Sequence, residues 1–170
     1  MSLLDLVNKP LVVAIGVPFV GGMVSGLTTG PAIKGWYRTI RKPAWTPPNW
    51  LFGPMWTYLY ISMGYASYLV YTNTTSTADA REMALTLYAS QLLLNFAWTP
   101  LFFGMRQFGA ASIDILALLG LIIATGVKFY EIDPVAGYLM VPYAGWVSLA
   151  SSLSCWIWWH NPAGGKTKGQ

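Results

Sequence analysis

From Pro43 to Ala78 the chain carries no charged side chain, and Leu11–Thr29 is a second uncharged run of 19 residues. Runs of that length leave a folded chain few options, because a helix needs about 20 predominantly apolar residues to cross a bilayer. Only 9% of the 170 residues are charged and 55% are hydrophobic, whereas soluble domains carry about 25% charged residues. The pattern predicts an all-α membrane protein, a five-transmembrane-helix bundle. Its spans fall at about 11–29, 49–71, 83–103, 108–127 and 135–159. Residues 1–160 then form one domain, and the Gly/Lys-rich stretch 161–170 a disordered cytoplasmic tail.

Five spans place the connecting segments alternately on two sides. One side receives Lys34, Arg38, Arg41, Lys42, Arg106, Lys166 and Lys168, while the other receives Lys9, Arg81 and Lys128 with five of the six acids. Cation-rich segments stay in the cytoplasm, so the first loop and the C-terminus are expected there. The net charge of +4 is spread over short loops, which gives no surface for nucleic acid. Met1–Lys9 has no basic region and no small-residue cleavage site, so no cleaved leader is expected.

Within the spans, Pro18 predicts a bend. Gly22, Gly26 and Gly30 recur every fourth residue, a ridge that suits close packing inside the bundle or a seam with a second copy. Tyr58, Tyr60, Tyr65, Tyr68 and Tyr71 bring more hydroxyls than a purely lipid-facing helix carries. Gln91, Asn95 and Trp98 share one helix face, which must look into the bundle because amides in hydrocarbon need partners. That face serves either helix-to-helix hydrogen bonding or a ligand pocket. Asp114 is the one acid inside a span, about two turns after Arg106, and is expected to be a structural partner at the membrane edge. Asn73-Thr74-Thr75 is a glycosylation sequon too close to the membrane to be used.

Lys42-Pro43-Ala44-Trp45-Thr46-Pro47-Pro48-Asn49-Trp50 separates the basic loop from the second span. Its prolines fix φ and withhold donors, making a stiff connection flanked by interfacial tryptophans. With Pro54-x-Trp56, this stretch resembles the first-loop signature of the translocator protein family, also called peripheral-type benzodiazepine receptors or tryptophan-rich sensory proteins. The similarity continues through Gln91-Leu92-x-Leu94-Asn95-x-Ala97-Trp98-x-Pro100-x-Phe102-Phe103-Gly104, Arg106-Gln107, Asp114 and Pro142-Tyr143-x-x-Trp146. It covers residues ~20–160 in order.

The resemblance implies a membrane receptor or transport-type protein that binds tetrapyrroles such as porphyrin and haem, and sterols. The pocket would lie inside the bundle under the first loop, which acts as its lid. Carried over motif by motif, the ligand-binding residues would be Gly26, Phe52, Gly53, Trp56, Asn95, Trp98, Trp146, Ala150 and Leu153, with Trp45 from the lid. Trp56 and Trp146 match tryptophans that the family implicates in light-dependent porphyrin breakdown. The resemblance also implies a homodimer, here through Thr86 and Ser90 in place of glycines, and, in eukaryotes, the mitochondrial outer membrane. Two departures stand out. After Leu153 come Cys155, Trp156 and Trp159 without the Tyr and base of the animal sterol pattern, and Ala110 replaces a pocket tryptophan of animal members.

Other chemistries find no support in the residues. His160 is the only histidine and Cys155 the only cysteine, so a His-based triad, a multi-His metal site and an intrachain disulfide are excluded. No phosphate-binding G-x-x-x-x-G-K-[ST] occurs, and Asp114 has no second acid for acid–base work. No metal and no cofactor is expected. What remains is aromatic and amide surface suited to a flat, mostly apolar ligand. A light-dependent porphyrin-degrading enzyme and a ligand-independent membrane adaptor are the alternatives.

Overall fold

The computed structural model describes residues 8–161. The expectations for a leader in Met1–Lys9 and for the tail 161–170 therefore fall almost wholly outside the described residues. Helix α1, Lys9–Ser25, starts on Asn8, whose side-chain oxygen accepts from the Leu11 amide at 3.2 Å. A tighter turn over Gly26–Thr28 joins it to the short α2, Thr29–Lys34. Then come α3, Asn49–Thr72, α4, Ala78–Thr99, α5, Phe108–Ile132, and α6, Pro134–His160. Thr77 caps α4 by accepting from Ala80, and Asp133 caps α6 by accepting from Val135 and Ala136.

Two helices outrun the apolar stretches that announce them. α4 begins at Ala78 and takes Asp79, Arg81 and Glu82 into its first turns, and α5 runs on to Ile132 through the Lys128–Glu131 ion pair at 2.7 Å. Charge marks where the bilayer ends, not where backbone hydrogen bonding stops, so such helices project beyond the hydrocarbon. Lys9–Lys34 and Phe108–Ile132 are long and apolar enough to cross a membrane by composition alone. α3, α4 and α6 dilute their hydropathy with tyrosine, serine, proline and amides.

The long helices form a closed ring in the order α1, α3, α6, α5, α4, each antiparallel or parallel to its neighbours as the alternating connections dictate. α5 and α6 share the most extensive seam, joined by the one-residue connection at Asp133. Glycine permits the closest approach elsewhere. A Cβ on Gly64 of α3 would stand 2.6 Å from the Ala14 carbonyl of α1, so only glycine allows that crossing. The outward side is aliphatic: Val13, Val17 and Val24 of α1, Leu93 of α4 and Ile113 of α5 are all more than half exposed. A continuous aliphatic wall of this kind needs lipid, not water, against it.

At one end of the ring the first loop lies across the tips of α4, α5 and α6. At the other, Asn8 donates to the Tyr68 hydroxyl at 2.7 Å and the Asn73 side chain donates to the Ile132 carbonyl at 3.1 Å. The Asn73 side-chain oxygen Oδ1 accepts from the Thr75 and Ser76 amides, so the sequon asparagine is committed at both ends of its side-chain amide.

Candidate functional site

Where α1 gives way to the tighter turn at Gly26, the bundle leaves a cavity of about 310 Å³ between α1, α3 and α4. Phe19, Gly22, Met23 and Gly26 come from the α1 side, Phe52, Gly53, Trp56 and Tyr60 from α3, and Trp98, with Phe103 just beyond it, from α4. Each wall has a local cause. A side chain at Gly22 would collide with the Tyr60 ring, so the glycine makes room for tyrosine, whereas nothing lies within 4 Å of a Cβ at Gly26 or Gly53. The Gly22/Gly26 ridge is thus divided between packing at the first position and open space at the second.

On the α4 side the helix widens into a turn over Pro100–Gly104, where the Met105 amide donates to the Pro100 carbonyl at 2.8 Å. The extra residue in the turn directs both Phe102 and Phe103 inward, where they are buried. Trp98 stacks on Phe102 at 5.1 Å, and Trp36 from the first loop packs on Phe102, Phe103 and Phe108. The turn ends at Arg106 with φ +55°, a left-handed conformation in a residue that has a Cβ. It carries the guanidinium over the Trp36 ring at 5.0 Å. This corrects the expectation for Asp114: Arg106 faces an indole, and the buried Asp114 Oδ2 has no hydrogen-bond partner among the described residues.

Behind the cavity runs a chain of buried hydrogen bonds. Tyr60 donates to Asn95 at 2.9 Å, Asn95 donates to the Tyr143 hydroxyl at 2.8 Å, and Tyr143 donates to Gln91 at 2.8 Å. Three helices are tied together by it, and Gln91 and Asn95 are buried at 0% and 3% exposure. The face thus divides: Gln91 and Asn95 tie helices together, while Trp98 lines the cavity. The two amides touch the cavity wall through Tyr60, which stacks on Trp56 at 5.4 Å.

Of the residues singled out by sequence, Gly26, Phe52, Gly53, Trp56 and Trp98 meet at the cavity. Asn95 stands one bond behind it. Trp146 sits behind Phe52, ring centres 5.6 Å apart, and Ala150 and Leu153 are buried elsewhere on α6 without lining it. Trp45 is not over the cavity. It is half exposed and rests edge-on against Trp156 of α6, 6.5 Å away. The cause is a clamp: the Arg41 amide donates to the Asn161 side chain and that side chain donates back to the Arg41 carbonyl, both at 3.1 Å. This draws the proline segment toward the end of α6, and no residue of Lys42–Pro48 lines the cavity. The part of the loop that reaches the cavity wall is Trp36-Tyr37, with Tyr37 5.5 Å from Phe103. Burial raises the Tyr37 phenol above its ordinary pKa, and the Lys42 ammonium lies 4.5 Å over its ring. Phe19, Met23, Tyr60 and Phe103 were not anticipated. The first two lie on the same α1 ridge as Gly22 and Gly26, a signal present in the spacing.

A ring of five helices with an aliphatic outer wall, cations gathered at one end and an aromatic cavity inside defines a membrane-embedded helical-bundle protein. The matching family model makes this specific: residues 14–160 match the TspO/MBR family, and the chain belongs to it. It is 42% identical over 126 residues to the Translocator protein of Homo sapiens, covering 74% of this chain and 75% of that one. It is 39% identical over 155 residues to the Translocator protein of Sus scrofa, covering 89% and 92%. The Tryptophan-rich protein TspO of Archaeoglobus fulgidus is 39% identical over 154 residues, covering 91% and 95%.

Proposed function

We propose that the protein is a receptor or transport-type binding protein for a flat, largely apolar ligand of the tetrapyrrole class, with sterols as possible competitors for the same cavity. The observation that carries this reading is the cavity itself: Phe19, Phe52, Trp56, Tyr60, Trp98 and Phe103 offer aromatic faces from three sides, and Trp98 keeps a buried indole N–H with no partner among the described residues. Stacking supplies most of the contact, and an acceptor on the ligand satisfies the orphan donor. Lys34, Arg38 and Arg41, at the cationic end of the molecule, suit the carboxylates of a porphyrin left at the wet rim. Protoporphyrin IX should quench tryptophan fluorescence saturably in purified protein. Gly26→Leu, which fills the cavity, should weaken binding about tenfold; undiminished affinity in that variant would sink the assignment.

A light-dependent breakdown of bound porphyrin draws support from the Trp56–Tyr60 stack, two oxidisable rings beside the cavity. A discrete product that disappears in Trp56→Phe would favour it over binding alone. The charge distribution supports a cytoplasmic first loop and C-terminus, and for a eukaryotic source the family resemblance points to the mitochondrial outer membrane. A homodimer through α4 is supported by Thr86, Ala89 and Ser90, small residues on the surface of that helix.

A further inference from the structure

A second hollow lies at the opposite end of the molecule, between the start of α1, the end of α3 and the first half of α4. It encloses about 480 Å³, is walled by Val13, Leu85 and the rings of Tyr68, Tyr71 and Tyr88, and has Lys9 at its rim. It shares no lining residue with the aromatic cavity.

Two features make it more than a gap in packing. Tyr88 is 7% exposed and its hydroxyl has no hydrogen-bond partner among the described residues. The neighbouring Ser67 hydroxyl donates its own proton to the Gly64 carbonyl at 2.8 Å. A buried hydroxyl left without a partner is costly, so an acceptor entering the hollow is favoured. The second feature is charge. Of the three cations at this end, Arg81 donates to the carbonyls of Asn73 and Ser76, and Lys128 is paired with Glu131. Lys9 makes no ion pair among the described residues.

A cation and a buried donor in one apolar hollow together select the occupant, and the hollow follows α1 from Lys9 to Ala14, about 7.5 Å along the helix axis. We propose that this hollow binds an anionic phospholipid from the leaflet opposite the cationic loop. Its phosphate pairs with Lys9, an ester carbonyl accepts from the Tyr88 hydroxyl, and the first methylenes lie on Val13 and Leu85. A sterol brings no charge for Lys9. A fatty acid has a single polar end and cannot meet both groups. A choline lipid sets a second cation beside the lysine.

Native mass spectrometry of the full chain, with phosphatidylglycerol or phosphatidylcholine added to the micelle, tests this. One phosphatidylglycerol per chain should be retained about fivefold more than phosphatidylcholine. Lys9→Gln should abolish that preference while leaving porphyrin quenching unchanged, which separates this site from the aromatic cavity. Tyr88→Phe, conservative in shape, should lower retention of both lipids about fivefold and keep the preference. Equal retention of the two lipids, a preference that survives Lys9→Gln, or displacement of the lipid by cholesterol would each overturn the proposal.

Discussion

A single methyl group at Gly22 should do more damage than the same methyl one turn further on. The Cβ of Gly22→Ala would overlap the Tyr60 ring and stand 2.7 Å from its hydroxyl oxygen. Non-bonded heavy atoms settle at about 3.5 Å or more, so the ring must retreat by roughly 1 Å. It has little freedom to do so, being hydrogen-bonded to Asn95 at 2.9 Å and stacked on Trp56. A retreat of that size carries the hydroxyl past the ~3.2 Å limit of a useful bond and leaves the Asn95 oxygen buried and unpaired. The alternative is to push α1 off α3, where the Ala14 carbonyl already sits in the space of a Gly64 side chain. Overpacking costs about 1–3 kcal/mol, and an orphaned buried acceptor about as much again. The expected loss is about 3 kcal/mol, with a porphyrin site disturbed at its Trp56–Tyr60 wall. Gly26→Ala meets nothing within 4 Å and should change stability by less than about 0.5 kcal/mol. Unfolding in micelles followed by far-ultraviolet circular dichroism compares them directly. If the two variants unfold together, or Gly26→Ala is the weaker, the packing argument is wrong.

Tyr143→Phe removes the hydroxyl that links Asn95 to Gln91. It should destabilise the fold by about 2 kcal/mol, read in the same unfolding assay. Asn161→Ala breaks both bonds to Arg41 and should free the loop, shifting Trp45 and Trp156 emission toward that of water-exposed indole with little change in stability. Neutralising Lys34, Arg38 and Arg41 together should slow porphyrin association in stopped-flow quenching and flatten its salt dependence, since exposed charges steer encounter over about a Debye length. Thr86→Cys in a Cys155→Ser background should give a cross-linked dimer if α4 is the homodimer seam; cross-linking at Gly30→Cys instead would move the seam to α2.

The helical architecture was legible because a bilayer imposes one rule on every residue of a span, and uncharged length expresses it directly. Helix ends were not, since Asp79 and Glu131 lie on helices that continue past the apolar stretch. The cavity was half legible. Trp56, Trp98 and Gly26 could be marked by motif, but Trp45 could not be placed, because its position is set by a clamp between Arg41 and Asn161, 120 residues apart. Nor does spacing tell a hydrogen-bonding amide from a ligand-binding one. Gln91 and Asn95 are resolved by Tyr143, which reaches them from the last helix, with Tyr60 of α3 also donating to Asn95.

That dependence on the last helix has a consequence for how the protein is made. Lys9–Lys34 and Phe108–Ile132 are apolar enough to leave the translocation channel for lipid as they emerge. α4 carries two amides whose partner, Tyr143, has not yet been synthesised when that helix is complete. An amide facing lipid forgoes about 1 kcal/mol of interhelical bonding, which α4 recovers in full only once α6 arrives. A ribosome that stops before Tyr143 therefore does not release a smaller bundle. It leaves a membrane chain in which Gln91 and the Asn95 amide nitrogen lack Tyr143, and Asn95 keeps only its bond from Tyr60.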